Sequence, residues 1–244
     1  DVLRKITPKT KAIANVHLGG IESDLGEMPV PVISDAAQAL GIFNGDYTIN
    51  SFQAIKHITT CDGGMIVVPT EAEYRLAKLK RWFGIDREAK SRNNWQPYKR
   101  REMTFDIEVQ GFKRQMTDIN AAMGLAGLKH YDEVIAYRGK LFALYKELLN
   151  DEVQVVDGTN NTYWLCTVLV HGRDKLSSKL RDNGIETNLV QVRNDIYRVF
   201  GGRKRIPMMD KMEDNYLCLP LHMNLTENEV EFICKVINKH YGRR

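Results

Sequence analysis

A chain of 244 residues with 43% hydrophobic content is long enough to bury a sizeable core, which excludes a disordered or fibrous protein. Its 35 basic and 31 acidic residues leave a formal charge of +4, too mild by itself to imply a nucleic-acid or membrane partner. The cysteines at 61, 166, 218 and 234 form no C-x-x-C pair and no zinc-like spacing, so they read as reduced thiols of a cytosolic protein, with no metal site.

In chain order, the first eleven residues lack an uninterrupted apolar core, and no run reaches about eighteen apolar residues. Neither secretion nor membrane spanning is expected. Short apolar runs at 12–18, 30–33 and 47–52 fit strands buried on both faces, as in the central sheet of an α/β protein. Asp35 then falls just past a strand end, where open α/β sheets place their ligands. The stretch from Ser51 to Gly64 sets the single Lys56 between an apolar run and the turn Thr59-Thr60-Cys61-Asp62-Gly63-Gly64, which leads into a strand at 65–68. A lysine held out of bulk water loses its charge readily and can form a Schiff base with a carbonyl compound. Pyridoxal-phosphate chemistry needs such an amine together with a carboxylate that keeps the pyridine nitrogen protonated, and Asp35 supplies the second part.

Thr70-Glu71-Ala72-Glu73 is a capping box that predicts a helix to about Phe83. From 75 to 101 the chain carries ten Lys or Arg residues interleaved with Trp82, Phe83, Trp95 and Tyr98. This mixture fits a solvated helix face with a long surface loop, or a site for nucleic acid or a nucleotide. Thr117 caps a further helix whose small residues at 121, 122, 124, 126 and 127 predict packing in the interior or at a subunit contact. A helical pattern over 131–149 leads to a smaller α+β unit. That unit has a strand at 162–170, a helix at 173–183 ended by Gly184, and a strand at 185–190. Thr226-Glu227-Asn228-Glu229 caps a final helix with Val230, Phe232, Ile233, Val236 and Ile237 on one face. The expected domains are residues 1–130 and 131–244.

Asp35-Ala36-Ala37-Gln38, Ser51-Phe52, Lys56, Thr59-Thr60, Gly63-Gly64 and the segment Gly111 to Ala122, beginning Gly111-Phe112-Lys113-Arg114-Gln115-Met116, closely resemble the DegT/DnrJ/EryC1/StrS family of sugar aminotransferases. The resemblance extends over nearly the whole chain and includes Leu219-Pro220-Leu221-His222 near its end. It implies a type I, aspartate-aminotransferase-like pyridoxal-phosphate fold: the remaining part of a large mixed-sheet α/β domain and a small C-terminal α+β domain. It also implies a cytoplasmic homodimer with shared active sites. The implied reaction moves an amino group, with glutamate as the expected donor, to a nucleotide-linked keto-deoxysugar. By the same resemblance, Lys56 is the Schiff-base lysine and later the proton carrier, Asp35 the pyridinium partner, Gln38 a contact of the cofactor ring or its phenolic oxygen, and Ser51 a ligand of the cofactor phosphate.

Related sugar dehydratases have His where Lys56 stands, so lysine favours a transaminase, with dehydration and a non-catalytic relative as the alternatives. Lys113 stands where the family usually places an Asn that reaches across the dimer to the cofactor phosphate, and a lysine can meet phosphate as a point charge. Relative to the family, the chain begins inside the large domain, without the turn that grips the cofactor phosphate. That start implies a fragment or a naturally reduced protein with a weaker hold on its cofactor. In the C-terminal part, His222 and Arg193 are the candidates for contact with the substrate, Arg193 for the sugar diphosphate. His17 is expected to support the sheet near Asp35.

Overall fold

The structure is a computed structural model that describes residues 1–92 and 107–242. Four short strands, β1 (Ile13–Val16), β2 (Val32–Asp35), β3 (Tyr47–Ser51) and β4 (Gly64–Val67), form one sheet in that order. The first three are mutually parallel and β4 runs antiparallel to β3, so the sheet is mixed. Asp35 is the last residue of β2 rather than a residue beyond it.

Burial on both faces, expected from the apolar runs, is not what these strands show. The register sets Asn15 beside Ser34 and Ser34 beside Thr48, and these side chains with Asn50 form a buried polar face. Side chains alternate along a strand, so Val16, Ile49 and Ile66 fall on the other face, 48%, 42% and 51% exposed, while Val32 is buried on the polar side. Hydrogen bonds hold part of the polar layer, Ser34 Oγ donating to Asn44 Oδ1 at 2.7 Å and Asn15 Nδ2 to the Ser23 carbonyl at 2.6 Å, while the side-chain amide of Asn50 has no partner among the described residues. His17 is fully buried there. Its Nδ1 accepts from the Ser23 backbone N–H, which leaves Nε2 protonated to donate to Ser34 Oγ at 2.6 Å. Burial lowers its pKa, in keeping with a neutral ring that braces the sheet.

Helix α1 (Glu71–Arg81) starts as expected, with Thr70 Oγ1 accepting from the Glu73 backbone at 3.2 Å. It ends two residues before Phe83, whose φ of 54° is left-handed. A short helix, α2 (Arg87–Arg92), follows. The remainder of the basic and aromatic stretch, including Trp95 and Tyr98, lies outside the described residues. Helix α3 (Asp118–Leu128) is capped by Thr117 but has no buried residue, which corrects the interior option. It meets the loop before β4 closely through its small face, where a Cβ on Gly124 or Gly127 would come within 2.9 Å of Thr60 or 2.8 Å of Ile58. Ile119, Leu125 and Leu128 remain 77%, 66% and 56% exposed.

The second unit is a three-stranded antiparallel sheet, β5 (Gln154–Val155), β6 (Cys166–Leu169) and β7 (Tyr216–Leu219), packed with α4 (Tyr131–Leu148), α5 (Arg173–Arg181) and α7 (Glu227–His240). A short α6 (Pro207–Met212) precedes β7. Leu141, Tyr145, Val168, Leu176, Leu217 and Val230 lie at the centre of an apolar core. Three expectations are corrected here. The strand at 162–170 begins only at Cys166, because residues 162 and 165 bond back to Gly20 and Gly19 and Tyr163 has a left-handed φ of 55°. No strand spans 185–190; Asn188 makes a single bridge to Cys218. Phe232 is 47% exposed and so lies off the packed face of α7. The capping box of α7 is complete, Thr226 and Glu229 exchanging both bonds. Among the described residues, no helix is long and apolar enough to cross a membrane, and no cluster of His, Cys, Asp or Glu is placed to hold a metal.

Candidate active site around Lys56

The loop between β3 and β4 closes on itself at its neck. The Phe52 N–H donates to the Gly63 carbonyl and the Thr60 N–H to the Phe52 carbonyl, both at 2.9 Å. Gly63 takes a φ of 144°, which side-chain-bearing residues rarely adopt. Asn120 of α3 donates to the Thr60 carbonyl and steadies the loop from below. Lys56 sits in a turn at the loop's tip, half-buried, its N–H bonded to the Gln53 carbonyl at 3.0 Å.

The register pairs Asp35 with Ile49, so Asp35 and Ser51 lie on the same exposed face of the sheet, at the end of β2 and the end of β3. Asp35 Oδ1 accepts from the Ala37 N–H at 3.0 Å, which fixes the carboxylate at the strand terminus. Burial lowers the pKa of Lys56, and the negative charge of Asp35 opposes that shift. The two groups therefore sense one another, while partial desolvation favours the neutral amine. Ser51 Oγ accepts weakly from the Gln53 N–H at 3.3 Å, an exchangeable contact for a hydroxyl that can donate elsewhere.

Residues distant in sequence complete the surroundings. Trp164 Nε1 donates to the Ile55 carbonyl at 3.2 Å, and Lys56 Nζ stands 4.4 Å from the centre of the Trp164 ring. His57 Nε2 donates to the Thr162 carbonyl at 2.7 Å. Burial, and then the nearby Arg138 charge, push the His57 pKa down to about 4. Its ring is therefore neutral at physiological pH. No signal in the local sequence marks Trp164, which is 109 residues from Ile55.

The other expected site residues are placed differently. Gln38 is buried, and its Oε1 accepts from the Gly19 N–H at 2.7 Å, so its carbonyl end faces the backbone. Lys113 is exposed and bridges to Trp82 past the end of α1; among the described residues no hydrogen bond or ion pair links it to Lys56, Asp35 or Ser51. Arg193 is not a surface arginine: it is 6% exposed. It bonds Asp195 through both carboxylate oxygens at 2.5 and 2.7 Å, and Asp210, Glu213 and the Lys204 carbonyl at 2.6, 2.9 and 2.9 Å. A guanidinium has five N–H donors, and all five have protein acceptors, so none is left for a sugar diphosphate. His222 is exposed on the wall of a cavity of about 540 Å³ that Leu165, Ile185, Leu219 and Phe232 also line.

The family model of the DegT/DnrJ/EryC1/StrS aminotransferase family matches residues 1–238. The chain belongs to that family. It is 30% identical over 265 residues to GDP-perosamine synthase of Escherichia coli O157:H7, covering 99% of this chain and 69% of that protein. The sugar aminotransferase CalS13 from Micromonospora echinospora is 27% identical with a TM-score of 0.86, over 98% of this chain and 69% of the other. Spr1654 from Streptococcus pneumoniae, solved in its PLP-form, is 22% identical and shares the fold at a TM-score of 0.82, over 98% and 71% of the two chains. The fold is thus that of type I pyridoxal-phosphate enzymes, and pyridoxal phosphate is the family's cofactor. The residues present fit that group: a carboxylate at a strand terminus and a hydroxyl share one open face, and an amine whose pKa is lowered by burial interacts with that carboxylate.

Proposed function

We propose that this chain is a pyridoxal-phosphate-dependent aminotransferase that moves an amino group from glutamate to the keto carbon of a nucleotide-linked deoxysugar. One observation carries the assignment of residues: Lys56, with its pKa lowered by burial, interacts electrostatically with Asp35 at the end of the neighbouring strand. In this reading Lys56 holds the cofactor covalently. Asp35 would hold the protonated pyridine nitrogen, and Ser51 the phosphate. Bound in this way, pyridoxal phosphate supplies an electron sink for the carbon that gains or loses the amino group. Lys56 as a neutral amine would carry the proton to and from that carbon. His57 stays neutral and supports the loop, so lysine rather than histidine is the reactive side chain.

A homodimer belongs to the same reading, because Ile119, Leu125 and Leu128 of α3 are exposed while its small face already packs on the Lys56 loop. Lys113, also exposed, is assigned to the cofactor phosphate of the opposite protomer, and the cavity bearing His222 to the sugar nucleotide. We place the boundary between the two units near residue 130, and the enzyme in the cytoplasm.

The test is incubation of the protein with pyridoxal phosphate, glutamate and a panel of nucleotide-linked keto sugars, followed by mass spectrometry. An amino sugar formed together with 2-oxoglutarate in equal amount is the expected result. A dehydrated sugar without 2-oxoglutarate would contradict it.

A further inference from the structure

The backbone neighbours on both sides of Lys56 are tied to one three-residue segment of the second unit. Ile55 is held by the Trp164 indole N–H and His57 by the Thr162 carbonyl. That segment is itself fixed from several directions. Arg138, 8% exposed, donates through Nε to the Tyr163 carbonyl and through Nη2 to the Trp164 carbonyl, each at 2.7 Å. The Tyr163 N–H donates to Asn161 Oδ1 at 2.7 Å, and the Thr162 N–H to the Gly20 carbonyl at 2.8 Å. Tyr163 between them has a φ of 55°, a conformation unfavourable for an aromatic residue that persists only where its surroundings over-determine it. The result is a rigid platform on which the Trp164 ring, 7% exposed, faces the Lys56 amine at 4.4 Å.

Resting on the assignment of Lys56 as the cofactor-bearing lysine, we propose that Trp164 is a positioning residue that holds the Lys56 amine for covalent capture of the cofactor aldehyde. Its N–H fixes the backbone one residue before Lys56, and its ring face attracts the amine while charged and confines it when neutral. In the capture step, the neutral Lys56 nitrogen bonds to the aldehyde carbon, and the aldehyde oxygen leaves as water with the two amine protons. Fixing a nucleophile in place accelerates such a step, and small misplacements slow it substantially.

The experiment mixes the full chain, freed of cofactor, with pyridoxal phosphate or with pyridoxal, which lacks the phosphate, and follows the visible band of the lysine-bound cofactor by stopped flow. Trp164→Leu removes both the N–H and the ring, whereas Trp164→Phe keeps a ring face; thermal midpoints identify the folded variants. In Trp164→Leu, capture is expected to slow by on the order of ten-fold or more with both probes, and in Trp164→Phe by less. Should Trp164→Leu not fold, a slower rate in Trp164→Phe still supports the proposal. Wild-type rates in the folded variants would overturn it, as would slowing confined to pyridoxal phosphate, which would place the effect at the phosphate. A wild-type chain that forms no band with either probe would overturn the cofactor reading as well, which separates the two failures.

Discussion

The two sheets among the described residues are built on opposite plans. In the first, β1 to β3 bury Asn15, Ser34, Thr48 and Asn50 and expose Val16 and Ile49. In the second, β6 and β7 bury Cys166, Val168, Leu217 and Leu219 against α4, α5 and α7, where Leu141, Leu176 and Val230 have no exposed surface. The second plan is that of a closed apolar core, which derives its stability from burial. The first leaves an open apolar face, and Asp35 and Ser51 lie on that face. Under the proposed function the difference separates labour: the second unit supplies stability and the platform for the Lys56 loop, while the first carries the residues assigned to the chemistry.

If that division holds, damage to the core should lower stability without removing the site. Leu176→Ala, at a fully buried position, is expected to cost about 2–5 kcal/mol in unfolding free energy, measured by denaturant titration. The folded fraction should still capture pyridoxal phosphate. A stability cost below about 1 kcal/mol would break the comparison from the core side.

Asp35→Asn should do the reverse. Turnover is expected to fall on the order of 100-fold, as when a preorganised electrostatic partner is lost, with stability little changed. The charge of Asp35 raises the Lys56 pKa, so its removal should move the midpoint of Lys56 labelling by an amine reagent to lower pH. An unmoved midpoint would show that the two groups do not communicate.

A smaller effect sharpens the link between the units. The pKa of His57 is depressed from 6.5 to about 4 in the folded protein, so between those values the unfolded chain binds more protons, and stability falls as pH drops from 6.5 towards 4. His17, also depressed, contributes in the same direction. His57→Gln should therefore make the loss of thermal midpoint over that window shallower without abolishing it. An identical slope would remove His57 from the account.

The strand ends and the Lys56 loop of the first region were legible because their signals are local. Asp35, Ser51, Lys56 and the Gly63-Gly64 turn lie within thirty residues, at positions that strand ends and a closed loop dictate. Thr70, Thr117 and Thr226 were readable as caps for the same reason. What escaped depends on distant contacts. The shortened β6 follows from bonds between the segment after Asn161 and Gly19 and Gly20, over 140 residues away. The segment 185–190 lacks a strand because only Asn188 bridges to β7, and β7, four apolar residues between Asp214-Asn215 and Pro220, went unread. Arg193 looked available for a diphosphate because Asp210 and Glu213, which occupy it, lie 17 and 20 residues further on.

The central claim is that Lys56 captures pyridoxal phosphate on the open face that carries Asp35 and Ser51. It is tested most directly by titrating the purified chain with pyridoxal phosphate, reducing with borohydride and mapping the labelled peptide. The account predicts a visible absorption band, a single stable label on Lys56, and neither in Lys56→Ala. A label on another lysine, or an unchanged band in Lys56→Ala, would contradict it.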